Sequence, residues 1–291
     1  MKTRLVSAIT LVILSVTWLA GVAPAVAQEA AAPKIEVKID GEYGAWFPPD
    51  VSAHGHEIDT LIIVLMVFTV ITFVGWSAFL FYCLYRFRRR SGHQAVYGSR
   101  WKYCHIYFVV AVAIFELFLD AGLSNPVMAR VKDKPPDEKD AVVVRVMAEQ
   151  FRWGFHYPGK DGVFGRVLPN LVNGATNPLG IDPDDPHSAD DITSFALHAP
   201  VDRPILVELT SKDVIHSFFV PVLRVKQDTI PGMRIPVWFE AKKRGNYEIA
   251  CAELCGNNHY SMRALLVVQT AAEFEAWLET AGAPPEEFEE D

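Results

Sequence analysis

Thr60 to Tyr85 carries no charged side chain over twenty-six consecutive positions. At about 1.5 Å per residue, a helix of that length crosses a hydrocarbon core about 30 Å thick. Nothing else in the chain restricts the fold as strongly, because a segment in lipid must satisfy its own backbone polar groups. Arg86, Arg88, Arg89, Arg90, Arg100 and Lys102 follow in a short connection. This basic cluster predicts a cytoplasmic loop. Beside two membrane spans it does not read as a nucleic-acid patch, and no nucleic-acid partner is expected. The second span is expected from about Trp101 to Leu123, interrupted by His105, Glu116 and Asp120. Ionisable groups in a span are costly and usually face protein or water. Glu116 and Asp120 are therefore expected near the outer interface, with a partner subunit and a proton path as the alternative surroundings for Glu116 or His105.

Residues 1–27 read as a secretory signal. Lys2 and Arg4 form its charged start, Ala8 to Ala20 is mostly apolar, and Ala25-Val26-Ala27 fits a cleavage site. An uncleaved membrane helix is the alternative. Residues 28–57 are expected to form an extracytoplasmic lead-in, and residues 58–125 a transmembrane helical hairpin in contact with membrane lipid. Export of the N-terminus places everything after about residue 125 outside the cytoplasm, in the periplasm of a bacterium with two membranes.

From Ala141 the pattern becomes that of short strands. Ala141 to Met147 is a β-branched run, and Gln150 to Tyr157 alternates polar and aromatic residues. Pro204 to Thr210, Ile235 to Glu240, Tyr247 to Ala250 and Ala264 to Gln269 supply more, which predicts an antiparallel sandwich over residues 126–270. Between Gly159 and Pro200 lies a loop rich in Asn, Asp and Pro. Residues 271–291 are expected to hold a short amphipathic helix, Ala272 to Thr280, and an acidic tail. His156 is expected on a strand surface, and His54 and His198 in surface or loop positions. Four cysteines do not make a disulfide scaffold. Cys83 and Cys104 fall in apolar runs and read as inert packing.

The other two cysteines lie in a polar loop. Glu248 to Arg263, EIACAELCGNNHYSMR, holds Cys251, Cys255, His259 and Met262 within twelve residues, and His216 lies thirty-five residues upstream of Cys251. Thiolate, imidazole and thioether together favour copper over magnesium, calcium or manganese. A blue-copper centre needs one Cys, two His and a Met. Here a second Cys stands four residues from the first, and two thiolates can bridge two copper ions with one His on each.

These residues resemble the CuA loop of cytochrome c oxidase subunit II. Val214-Ile215-His216-Ser217-Phe218 and Asp228-Thr229-Ile230-Pro231-Gly232 also resemble that family, in the same order. The resemblance implies a two-helix transmembrane hairpin followed by an all-β, cupredoxin-like Greek-key sandwich. It implies a dinuclear copper centre with Cys251 and Cys255 bridging, His216 and His259 terminal, Met262 as the weak ligand on one copper, and the backbone carbonyl of Glu253 on the other. The Glu253 carboxylate would help to hold a magnesium ion shared with the catalytic subunit I, which suits a hard oxygen ligand. The family's Gln-Trp-x-Trp motif, whose first Trp is implicated in taking the electron from cytochrome c, reads Gln150-Phe151-Arg152-Trp153 here. Phe151 and Trp153 are the candidates for that role, and the substitution puts the usual route in doubt.

Residues 132–291 carry 26 acidic and 16 basic side chains. An acidic face would steer a basic c-type cytochrome donor, and Asp213 is a candidate for it. Solubility is the plainer explanation of the charge. The whole reads as the subunit that takes electrons from a c-type cytochrome and passes them to haem in subunit I. Oxygen is reduced to water there, and the complex, with its other subunits, translocates protons. A membrane-anchored copper chaperone is the alternative from another class. It would hold one copper rather than two. A quinol oxidase subunit would have lost the ligands, and a nitrous oxide reductase would carry a large propeller.

Overall fold

The computed structural model describes residues 46–92, 94, 103–132, 134–174 and 176–281. The expected signal at residues 1–27, most of the 28–57 lead-in, Arg100, Lys102 and the acidic tail from residue 282 lie outside the described residues.

Helix α1, Gly55–Arg86, and helix α2, Cys104–Val131, are both long and apolar enough to cross a membrane. They meet through Phe68 against Phe115, with ring centroids 5.2 Å apart, and Trp76 against Phe108, at 5.8 Å. Most of their large apolar side chains face outward with no protein against them, as lipid-facing residues do. Near the sandwich, Arg130 donates to Glu57 at 2.5 Å and ties the two helices together. A π-helical turn at Asp120–Ser124 lets α2 run past the expected end at Leu123, as far as Val131. Glu116 lies upstream of that turn, in the regular part of α2. Its neighbour Phe115 packs on Phe68, eight residues into the uncharged stretch of α1, about 12 Å along the helix. Glu116 is therefore level with that part of α1.

The remainder is a sandwich of two five-stranded sheets. The first has the order β3 (Ile192–Ser194), β2 (Arg152–Tyr157), β1 (Val142–Glu149), β5 (Pro204–Ser211), β8 (Ile235–Glu240). The second has the order β4 (Ala196–Pro200), β10 (Arg263–Gln269), β9 (Gly245–Cys251), β6 (His216–Val220), β7 (Val225–Thr229). The sheets are not wholly antiparallel as expected: β1 pairs in parallel with β5, and β4 with β10. Parallel neighbours need long crossovers, and the segment after β2 supplies one. That segment is not all loop, since it contains β3 and β4.

Period-two alternation builds the core. Val144, Val146 and Ala148 of β1 and Ile205, Val207 and Leu209 of β5 face Phe218 and Val220 of β6, Ile249 of β9 and Leu266 of β10, all fully buried. Each such large side chain stabilises the sandwich by about 1.5–3 kcal/mol. Strand β2 breaks the alternation, because the insert after it covers its outer face. Leu179 packs so close to Gly154 that a Cβ there would fall 2.6 Å from its Cδ2. His156, expected on the surface, is 2% exposed and shares a 2.6 Å hydrogen bond with Asp191. Asp191 also accepts from the backbone N–H groups of Gly159 and Gly165, and Asp190 from those of Lys160 and Asp161. These insert carboxylates are turned inward to satisfy backbone donors.

Helix α3, Ala271–Ala281, starts with a capping box. Thr270 N–H donates to Glu273 Oε2 at 2.8 Å and Glu273 N–H to Thr270 Oγ1 at 3.3 Å. Its Trp277 stacks on His198 at 3.9 Å, so His198 is half-buried and not in a loop.

The hairpin joins the sandwich through Arg224, held in the left-handed region at φ 59°. Its guanidinium forms a fork on Asp59 in α1, at 2.7 and 2.8 Å, and donates to the carbonyls of Pro48 and Pro221. Val51 N–H donates to Val222 O and Lys242 N–H to Val51 O, stitching the lead-in to β8's end of the sheet.

Candidate metal centre

One end of the sandwich gathers the predicted ligands. Strand β9 ends at Cys251 and β6 begins at His216, and the two strands are paired with Phe218 opposite Cys251. The chain then leaves the sheet, turns through Cys255 and a 3-10 turn at His259–Ser261, and returns as β10 just after Met262. Cys251 N–H donates to Met262 O at 3.1 Å, closing the base of the loop. Ala252 N–H donates to Ser217 O at 3.0 Å, fixing the loop to β6.

Within this frame the donor atoms form a connected set. The sulfurs of Cys251 and Cys255 lie 3.8 Å apart. His216 Nδ1 is 3.9 Å from Cys251 Sγ, and His259 Nδ1 is 3.6 Å from Cys255 Sγ. Met262 Sδ is 3.8 Å from Cys255 Sγ, and the Glu253 carbonyl oxygen is 3.2 Å from Cys251 Sγ. Ligands at about 2.0 Å for nitrogen and 2.3 Å for sulfur on a tetrahedral ion such as zinc stand about 3.5 to 3.8 Å apart. The separations fit donors that share metal ions. His216 is fully buried, Met262 and Cys255 nearly so, and Cys251 and His259 half-buried. Burial and the neighbouring Cys251 push the Cys255 thiol up to about 12, so a metal must displace its proton to bind as thiolate.

The surroundings orient the ligands. His216 Nε2 lies 2.9 Å from Asp213 Oδ1, which leaves Nδ1 toward Cys251. Burial disfavours the Asp213 charge, but hydrogen bonds from Gln150 N–H, His216 and Val214 N–H outweigh it and hold the carboxyl below its usual range. Trp153 is buried, with its ring 6.2 Å from that of His216 and 5.6 Å from that of Phe218. Phe151 is half-buried against the loop at Gly256. Glu253 is exposed. The structure thus brings His216, Cys251, Cys255, His259, Met262 and the Glu253 carbonyl together, with Phe151, Trp153 and Asp213 around them. Sequence reasoning missed Gln150, whose Nε2 donates to Cys255 O at 2.5 Å. Its place directly before Phe151 was the only sign.

Comparison with known proteins agrees with this architecture. Residues 142–270 match the family described as the periplasmic domain of cytochrome c oxidase subunit II. An alternative cytochrome c oxidase subunit 2 of Bradyrhizobium diazoefficiens is 34% identical over 236 residues, covering 80% of this chain and 83% of that one. A cytochrome c oxidase subunit 2 of Cereibacter sphaeroides is 29% identical, covering 88% and 87%. Among solved structures, the periplasmic domain of cytochrome oxidase subunit II from Bradyrhizobium japonicum matches with a TM-score of 0.36 and 31% identity, covering 48% of this chain and 92% of that one. The chain belongs to the cytochrome c oxidase subunit II family.

Proposed function

We propose that this chain accepts electrons from a c-type cytochrome and hands them to haem in the catalytic subunit of its oxidase. The observation that carries this reading is the connected set of two thiols, two imidazoles, a thioether and a carbonyl. A pair of copper ions bound there would supply a one-electron store whose charge is spread over both metals. Cys251, Cys255, His216, His259, Met262 and the Glu253 carbonyl would hold the pair.

The chain's own residues would hold this set nearly unchanged between oxidation states. The ligands hang from two paired strands and a loop closed at its base, so little has to move. Burial of His216, Met262 and Cys255 excludes water from that side. The exposed Glu253 carboxylate is free to reach a magnesium ion shared with subunit I. Phe151, resting on Gly256 beside a ligand, is the candidate contact for the donor, with Trp153 behind it. Around Phe151 the carboxylates are engaged: Glu149 pairs with Arg152 and Lys212, and Asp213 with His216. Docking of a basic donor would then draw on charge farther out as well as on Asp213.

The test is the copper content and visible spectrum of the full chain purified in detergent. About two coppers per chain with a mixed-valence spectrum, both lost in Cys251→Ser, are expected. One copper without intense visible bands would overturn the reading in favour of a copper carrier.

A further inference from the structure

We infer that Gln150 is a positioning residue for the metal loop: its side-chain amide braces the Cys255–Gly256 turn against the end of the β1–β2 hairpin. This rests on the copper reading above and concerns how the ligands are held, not which they are.

Gln150 closes the hairpin between β1 and β2, which belong to the first sheet. Cys255 follows β9, which belongs to the second. The 2.5 Å hydrogen bond from Gln150 Nε2 to Cys255 O therefore ties the two sheets together beside a ligand. The next residue confirms how close the approach is. A Cβ on Gly256 would lie 2.9 Å from Gln150 Nε2 and 3.0 and 3.1 Å from the Phe151 ring, and Gly256 has φ +144°, a conformation that side chains rarely adopt. Glycine there lets the loop backbone come down onto the hairpin.

The same residue reaches a second ligand. Its backbone N–H donates to Asp213 Oδ2 at 2.8 Å, while Asp213 Oδ1 faces His216 Nε2 at 2.9 Å. One turn thus registers both His216 and Cys255, which come from different parts of the chain. The Cys255 carbonyl accepts from a neutral donor, which fixes the peptide plane next to the thiol. Phe151, on the other side of the turn, is carried by the same brace. A contact that fixes the donor-facing aromatic also fixes the loop behind it.

The experiment compares the full-length chain in detergent with Gln150→Met, which keeps the length and volume but loses the donor. Gln150→Glu, which cannot donate at neutral pH, serves as a second variant. Both are expected to load as much copper as the unsubstituted chain, but to release it to an excess of chelator about tenfold faster, the effect of one lost hydrogen bond. Their copper hyperfine pattern should change. In the copper-free chain, amide hydrogen exchange over residues 252–261 should speed up while β5 and β10 stay as they were. Unchanged release and unchanged exchange would overturn the inference, and so would faster exchange spread evenly over the sandwich. Failure of the unsubstituted chain to take up a copper pair would sink the copper reading instead, and the exchange comparison would still decide on the brace.

Discussion

His216 is held between two partners, with Nε2 2.9 Å from Asp213 Oδ1 and Nδ1 3.9 Å from Cys251 Sγ. The carboxylate accepts a hydrogen bond from Nε2–H, so the free lone pair sits on Nδ1 and points at the thiols. Outer carboxylates of this kind select the tautomer and raise ligand basicity, and their loss costs about 10–100-fold in metal affinity. Asp213→Ala is expected to weaken copper retention by that amount in a chelator competition. If Asp213 served the donor alone, only the KM for the reducing cytochrome would rise and retention would stay unchanged.

Acid should loosen the sandwich. Burial lowers the pKa of His156 below 6.5, more than its bond to Asp191 raises it, and burial likewise lowers that of His198. A folded state that keeps these rings neutral loses stability when the unfolded chain takes up protons more readily. Their stabilising effect is present above pH 6.5, and it is lost as the pH falls through the depressed folded values. Urea midpoints measured between pH 7.5 and 5 should fall. The fall should be shallower in His156→Gln, which starts from a lower midpoint.

The Arg224–Asp59 fork joins α1 to the sandwich, with the Arg224 side chain 7% exposed. Removing one partner of a largely buried pair leaves the other charge uncompensated, at a cost of about 3 kcal/mol. Arg224→Met should lower the denaturation midpoint accordingly, and should increase hydrogen exchange at residues 51–53, where the N–H groups of Val51 and Ala53 are bonded at the same corner.

Gly256→Ala should disturb the centre without touching a ligand. The new methyl would meet the Phe151 ring at 3.0 Å, on a backbone at φ +144°. Strain of this kind costs about 1–3 kcal/mol. Reduced copper uptake and a lower denaturation midpoint are expected together. Uptake at the unsubstituted level would mean that the loop does not depend on this close approach.

Much of this protein was legible from residue type and spacing alone. An uncharged stretch of twenty-six residues can satisfy its backbone in lipid only as a helix, so α1 followed from composition. Sulfur and imidazole donors four, eight and eleven residues after Cys251 define a loop that must curl on itself, so the gathering of Cys251, Cys255, His259 and Met262 followed from spacing. Tertiary contacts decided the rest. His156 lies on a strand whose alternation predicts exposure, and only the packing of a distant insert buries it. Parallel pairing of β1 with β5 depends on a crossover that no local pattern encodes. Asp213 read as part of an acidic face and Gln150 only as the start of a strand motif, since a hydrogen bond to a residue on another strand leaves no mark in the chain's own sequence. Local propensity and donor chemistry act between neighbours along the chain, whereas burial and the orientation of ligands depend on which segments meet in space.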